Sequence, residues 1–139
     1  MPRASKTSAK AKDTAEQKRL TDVELELMTI LWTLGEGNVT QVIAALPPGR
    51  ALAYTSVSTV LRILEGKCVV TTRREGRGHI YIPALSKHDY EARAVKDVVN
   101  RVFQGVPVAM VRQLLENVRL SDEDLRELRE LVTSRSPRK

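Results

Sequence analysis

The segment 52–83 constrains the fold of this chain most, because a helical pattern is followed directly by two strand-like runs. Its apolar residues recur at the spacing of one buried helical stripe: Val57, Val60, Leu61 and Leu64. The opposite face carries hydroxyl groups and one guanidinium: Thr55, Ser58, Thr59 and Arg62. Serine and threonine form helices poorly, and this face suits a helix in the DNA major groove, where such groups bond base edges or phosphates. An ordinary polar face near a capped helix start is the alternative.

The two strand-like runs, 69–74 and 79–82, are rich in β-branched residues and predict a hairpin. Glu75-Gly76-Arg77-Gly78 joins them, with glycines that suit the turn. Basic side chains crowd this connection: Arg73, Arg74, Arg77 and His79. A helix followed by a basic hairpin is the winged-helix arrangement, in which the hairpin, or wing, contacts the DNA backbone next to the groove. Solvated charge on an exposed hairpin is the alternative.

Two helices are predicted before this segment. Thr21-Asp22-Val23-Glu24 is a capping-box pattern that begins the first helix, which Gly35 and Gly37 end. The second covers about 40–46 and ends at Pro47-Pro48-Gly49. With the central helix these form a helix-turn-helix, and a short strand near Ala51-Leu52 is expected to pair with the wing.

Three helices are predicted after Pro83: about 86–104, one from Pro107, and one from the acidic start Ser121-Asp122-Glu123-Asp124. Their aliphatic surface exceeds what one chain of this size can cover, so we expect a homodimer. The side chains expected at its interface are Val95, Val98, Val99, Val102, Phe103, Val111, Leu114, Leu115, Leu125, Leu128 and Leu131. Folding of these helices back onto the winged helix as a monomer is the alternative.

The predicted fold class is mostly α with a small antiparallel β component. Residues 1–19 form a basic disordered tail, 20–84 a winged-helix DNA-binding domain, 85–134 a helical dimerisation region and 135–139 a frayed end. The net charge of +6 is divided unevenly: residues 50–85 carry six Lys or Arg against two acids, whereas 20–49 carry four acids and no Lys or Arg. This polarity indicates that the helix and hairpin face a polyanion. The tail either adds phosphate contacts or only aids solubility.

No set of residues typical of catalysis or metal binding is visible, so we expect neither an enzyme nor a metal or other cofactor. His79 and His88 are the only histidines, and neither lies in a spaced ligand set. No apolar run could span a membrane and no secretory signal is present, which predicts a soluble cytoplasmic protein. Cys68 is expected to be a small buried apolar residue, with a redox switch as the alternative.

Three groups of residues resemble the penicillinase repressor family (BlaI/MecI/CopY): 20–24 with Met28, Leu31 and Trp32; 53–61; and 75–77 with Tyr81. The resemblance covers roughly 20–132. It implies a homodimeric winged-helix repressor on an operator with dyad symmetry, with the recognition helix at 54–64, which adds Tyr54, and the wing at 69–83.

The resemblance also bears on regulation. In β-lactam-responsive members a membrane sensor triggers cleavage in the dimerisation region, which corresponds here to Asn100-Arg101-Val102-Phe103, although the local motif differs. A regulatory protease or sensor system is therefore a partner that the resemblance allows. The C-terminal region lacks the cysteines of copper-responsive members, which argues against metal sensing of that type. Cys68 stands where relatives often have glycine.

The sequence thus predicts a dimeric, sequence-specific DNA-binding repressor. The residues expected in the major groove are Thr55, Ser56, Ser58, Thr59 and Arg62. Those expected on phosphate or in the minor groove are Arg73, Arg74, Arg77 and His79. The alternative is a winged-helix protein–protein adaptor that never binds DNA, against which the polarised charge and the hydroxyl-bearing helix face both count.

Overall fold

The computed structural model describes residues 19–135 and confirms the predicted fold class. Its first part is a helix-turn-helix with a hairpin: α1 (Asp22–Leu34), α2 (Val39–Ala44), α3 (Tyr54–Gly66), β1 (Val70–Glu75) and β2 (Gly78–Pro83). Three helices follow: α4 (Lys87–Val102), α5 (Pro107–Asn117) and α6 (Asp122–Ser134). Apart from Arg19 and Arg135, the expectations for the two tails fall outside the described residues. No helix of the described range is long and apolar enough to cross a membrane.

The first two helices begin and end where side chains satisfy their free backbone groups. Thr21 closes the predicted capping box of α1 with Glu24, and Gly35 ends the helix with φ of 90°. Asn38 forms a second capping box, so α2 begins at Val39, one residue before the predicted start. It also ends earlier than predicted, at Ala44, because the residue before Pro47 is disfavoured in helical geometry.

The apolar stripe of α3 lies in the core, as predicted. Val57, Leu61 and Leu64 are fully buried, and Val60 packs against them at the edge. The rest of this core comes from α1, α2, the hairpin and the residues that flank it: Leu27, Met28, Leu31, Val39, Val42, Val69, Val70, Tyr81 and Leu85. Burial of this stripe fixes the rotation of α3, and therefore determines which of its side chains face outward.

The hairpin is antiparallel, with Val70 opposite Pro83 and Glu75 opposite Gly78. Its two-residue turn places Gly76 first with φ of 61°, a position where hairpins favour glycine. The predicted strand at Ala51-Leu52 is wrong, since these residues form no strand. The edge of β2 is bonded instead by the α1–α2 turn: Gly37 N–H donates to Tyr81 O at 3.0 Å, and Tyr81 N–H donates to Gly37 O at 2.8 Å.

The expectation that Cys68 is buried is also wrong, because its side chain is exposed. Cys68 follows the end of α3 in a left-handed conformation, with φ of 65°. Val69 N–H donates to Leu64 O and Cys68 N–H donates to Glu65 O, the two bonds of a Schellman motif. In that motif the left-handed residue points outward while the next residue, here the buried Val69, turns into the core.

The chain forms two compact units, the first ending at Ala94 and the second beginning at Val95. The start of α4 belongs to the first unit, where Trp32 Nε1 donates to Leu85 O at 2.9 Å and the rings of Trp32 and Tyr90 lie 5.8 Å apart. In the second unit, α6 begins at the predicted acidic start, where Ser121 and Asp124 form a capping box. Within its described residues no side chain is fully buried. The predicted domain boundary at 84/85 stays a prediction.

Candidate nucleic-acid interface

A groove of about 520 Å³ lies between the start of α2, the exposed face of α3 and the wing. Its polar and basic lining comes from all three: Asn38, Thr40, Tyr54, Ser58, Arg62, Glu65, Thr72, Arg77, His79 and Tyr81. Five of the ten predicted DNA-binding residues line this groove: Tyr54, Ser58, Arg62, Arg77 and His79. Residues separated by more than twenty positions in the sequence therefore share one surface.

Helix α3 supplies one side of the groove through residues spaced four apart. Tyr54, Ser58 and Arg62 form a single line along the helix, which is the consequence of 3.6 residues per turn. The exposed Thr55 and Thr59 lie one step further round, on the side directly opposite the buried Val57 and Leu61. The ridge that α3 presents outward consists of Thr55, Thr59 and Arg62, three of the four residues that the sequence predicted for this face. The fourth, Ser58, is half-buried in the groove. Ser56 is exposed at the edge of the ridge.

The wing supplies the other side of the groove with Arg77 at its turn and His79 on β2. Arg74 lies opposite His79 in the strand register and so shares its face of the hairpin, although it does not line the groove. In the described part of the chain neither Arg62 nor Arg77 forms an ion pair. These two guanidinium groups thus retain their donors for a ligand.

Arg73 differs from the other wing arginines. It lies opposite Ile80, on the face of the hairpin away from the groove. Its guanidinium donates two hydrogen bonds to the carboxylate of Glu36, at 2.8 and 3.2 Å. These bonds lower the pKa of Glu36 and raise that of Arg73. A bidentate pair of this kind occupies the donors that a phosphate would need.

A side-chain hydrogen bond at the floor of the groove connects the wing to α3. Thr72 donates from Oγ1 to Glu65 Oε2 at 3.1 Å, which joins β1 to the last turn of the helix. Burial raises the pKa of Tyr81, and the charge of Glu65 adds to this effect while that of Arg62 opposes it. Tyr81 therefore remains a neutral phenol at physiological pH and can act as a hydrogen-bond donor.

Sequence reasoning missed several residues of the groove: Asn38, Thr40, Glu65, Thr72 and Tyr81. Thr40 was visible only as the predicted start of α2, Asn38 was not singled out, and nothing local in the sequence places either residue beside the wing. Thr72 could have been found from the alternation of β1, since it shares a face with Arg74. Among the described residues no group of three His, Cys, Asp or Glu side chains could hold a metal ion.

Comparison with known proteins confirms the resemblance seen in the sequence. The family model described as penicillinase repressor matches residues 20–134. A penicillinase repressor of Bacillus licheniformis is 30% identical over 121 residues, covering 87% of this chain and 94% of that protein. The transcriptional regulator BlaI of Mycobacterium tuberculosis is 38% identical over 86 residues, 61% of this chain and 62% of that protein.

A solution structure of the DNA-binding domain of the repressor BlaI aligns with a TM-score of 0.46 and 29% identity, covering 52% of this chain and 88% of that chain. The family match itself spans both units of the chain and runs from the residue before the cap of α1 to the last residue of α6. The relative from Bacillus licheniformis matches along nearly its whole length. This chain therefore belongs to the penicillinase repressor family of transcriptional repressors.

Proposed function

We propose that this protein represses transcription as a homodimer that binds a palindromic DNA operator through α3 and the wing. The observation that carries the proposal is the shared surface: Tyr54, Ser58 and Arg62 of α3 line the same groove as Arg77 and His79 of the wing. The exposed Thr55 and Thr59 lie next to this line on α3. Hydroxyl groups and guanidiniums on a protruding helix match the donors and acceptors of the major groove.

Helix α3 is the proposed reading element. Arg62 can bond guanine O6 and N7, and the exposed hydroxyls can bond either base edges or phosphates. The side chains assigned to this role are Tyr54, Thr55, Ser56, Ser58, Thr59 and Arg62. Short threonine side chains on the ridge allow the helix backbone to approach the bases closely.

The wing is the proposed backbone contact. Arg77 and His79 face the same groove as Arg62, and Arg74 lies on the same face of the hairpin. Each arginine that contacts a phosphate releases counterions, so binding should weaken steeply with salt. Arg73 was predicted to share this role, but its pair with Glu36 favours a different one, which is argued below.

Self-association is proposed from the second unit, in which several apolar side chains are exposed within the described chain. On α5, Val108, Val111 and Leu115 are each more than 40% exposed, and on α6 Leu131 is 58% and Val132 76% exposed. Exposed apolar rows on helices are typical of surfaces that pair with a second copy. Two copies would present two reading helices, which is the reason to expect a palindromic operator.

Release from DNA is proposed to follow a stress or antibiotic-linked signal from a regulatory protease or sensor. Relatives include proteins named methicillin resistance regulatory protein MecI, 20% identical over 116 residues in Mammaliicoccus sciuri. In this chain the segment at 100–102 is exposed and forms the last turn of α4. A protease could reach this segment before the turn at Gln104 and Gly105, both of which have positive φ.

The test is a titration of the protein's own upstream DNA, followed by fluorescence anisotropy, with the wild type and three arginine variants. We expect Arg62→Ala to cost about 1–3 kcal/mol for each half-site and to relax specificity at one base pair of each half-site. Arg77→Ala should weaken all sequences alike and lower the slope of log K against log salt by about two for the dimer, about one for each protomer. Arg93→Ala, an exposed residue of α4 outside the groove, is the control and should bind as the wild type does.

An absence of any salt-sensitive complex with the wild type would overturn the proposal and favour a protein–protein adaptor. Equal binding of the best operator by Arg62→Ala and the wild type would remove the base-reading role of α3. Both outcomes are read from binding of the purified protein to DNA, so neither measurement requires the regulatory signal to be identified.

A further inference from the structure

We propose that Glu36 is a positioning residue for DNA binding, which holds the wing through Arg73 so that Arg77 and His79 face α3. The inference rests on the proposed function and adds a residue that contacts no DNA itself. Glu36 lies in the turn between α1 and α2, far from the wing in sequence and outside the groove lining.

The α1–α2 turn holds both strands of the wing through two neighbouring residues. Glu36 receives both guanidinium bonds from Arg73 on β1, at 2.8 and 3.2 Å. The next residue, Gly37, exchanges two backbone hydrogen bonds with Tyr81 on β2, at 3.0 and 2.8 Å. The turn therefore pairs with the free edge of β2 in the way a short third strand would. The ion pair between Glu36 and Arg73 connects the same turn to β1.

The contact between Arg73 and Glu36 lies on one face of the wing, and a second contact anchors the other face. Thr72 bonds Glu65 of α3 on the groove side, whereas Arg73 points to the opposite side and bonds Glu36. A two-stranded hairpin is marginally stable alone, so its direction depends on such external contacts. Loss of the Glu36 contact would leave β1 held on one face only, and the tip with Arg77 free to turn relative to Arg62.

A purely electrostatic role and a positioning role for Glu36 predict opposite changes in DNA affinity when its carboxylate is neutralised. Neutralising an acid beside a DNA-binding surface raises the net positive charge and by itself tightens binding to a polyanion. If Glu36 positions the wing, its neutralisation weakens binding in spite of the added charge. Glu75 provides the matched control, because it lies on the same hairpin and approaches Arg73 only to 3.9 Å, with a side chain that is 64% exposed.

The first experiment compares Glu36→Gln with Glu75→Gln in operator binding at fixed salt, using the full chain. We expect Glu36→Gln to bind about two- to fivefold more weakly than the wild type, the range that an exposed bidentate pair can supply. Glu75→Gln should bind equally or more tightly. Binding of Glu36→Gln as tightly as Glu75→Gln would overturn the inference, while failure of the wild type to bind any DNA would instead overturn the proposed function.

The second experiment separates positioning from a direct contact between Arg73 and phosphate. Two double variants restore the net charge lost in Arg73→Glu: Glu36→Arg/Arg73→Glu restores opposite charges at the pair, and Arg73→Glu/Glu75→Arg does not. Positioning predicts that only the first recovers affinity toward the wild type. If both or neither recover, the inference fails.

Amide hydrogen exchange at Tyr81, measured without DNA, gives an independent readout. The exchange should accelerate in Glu36→Gln but not in Glu75→Gln, because the Tyr81 N–H donates to Gly37 in the turn that Glu36 anchors.

Discussion

At the scale of single residues, Cys68 is the clearest conflict between the sequence and the backbone that it adopts. The Schellman motif after α3 places it at φ of 65°, where a residue with a Cβ is strained and glycine is usual. Among the described residues its sulfur forms one long hydrogen bond, 3.9 Å to Gly66 O. The sequence supplies a glycine nearby at Gly66, but that residue is still inside the helix. The strain therefore has no visible compensation from side-chain packing.

We expect Cys68→Gly to raise the free energy of unfolding by about 0.5–1 kcal/mol, because relief of the left-handed strain exceeds the extra entropy of glycine in the unfolded chain. Cys68→Ala is the control, since it removes the same sulfur but keeps the Cβ. Urea denaturation of both variants measures the difference. A Cys68→Gly protein no more stable than Cys68→Ala would show that the strain is negligible.

At the scale of elements, α1 and α3 are joined by an ion pair at the edge of the core. Lys67 Nζ donates to Glu24 Oε1 at 2.6 Å, and Glu24 is only 6% exposed. Burial raises the pKa of Glu24, but the hydrogen bonds from Lys67 and Thr21 outweigh it, so the pKa is lower than the usual 4.5. One carboxylate thus caps the start of α1 and holds the end of α3, the helix proposed to read DNA.

This pair predicts a specific loss of stability in acid. Because the pKa of Glu24 is lower in the folded chain, its contribution is complete above the unfolded value near 4.5 and disappears as the pH falls through the folded value. We expect Glu24→Gln to lower the free energy of unfolding by about 1–3 kcal/mol at pH 7. The gap between variant and wild type should close below pH 4, as measured by urea denaturation across pH.

Lys67→Met supplies the matched comparison for this prediction. It removes the main hydrogen-bonding partner of Glu24, so the pKa of Glu24 should lie closer to its unfolded value. The free energy of unfolding of this variant should therefore change less than that of the wild type as the pH falls below 4.5. If the gap between Glu24→Gln and the wild type stayed constant from pH 7 to pH 3, the carboxylate would not be the group that titrates.

The elements also show what the sequence could and could not predict. The stripe of α3 and its outward ridge followed from periodicity, because the 3.6-residue repeat records which face is buried. The cap at Thr21 was equally local. The bond between Gly37 and Tyr81 and the pair between Glu36 and Arg73 join residues 37 or more positions apart, and no local pattern encodes them. The predicted strand at Ala51-Leu52 failed for the same reason, since another segment already occupied the edge of β2.

At the scale of the whole molecule, the two units differ in how they bury apolar surface. The first has a fully buried core that includes Leu27, Leu31 and Leu61, whereas the described part of the second contains no fully buried side chain. Helices of 11 and 13 residues are marginal in water without a packed face. The stability of the second unit should therefore depend on protein concentration, as expected where folding and self-association are coupled.

Val111→Glu tests this dependence, because Val111 lies in the exposed apolar row of α5 and a charge there opposes burial against a second copy. We expect sedimentation equilibrium to show a dimer for the wild type and a monomer for the variant. Affinity for a full palindromic operator should fall by about 100-fold or more, since the two reading helices are no longer linked, while affinity for a half-site should be unchanged. Gln113→Glu adds the same charge on another face of α5 and should remain dimeric. If Val111→Glu also stayed dimeric, the pairing surface would lie elsewhere, and a monomeric wild type would remove the reason to expect a palindrome.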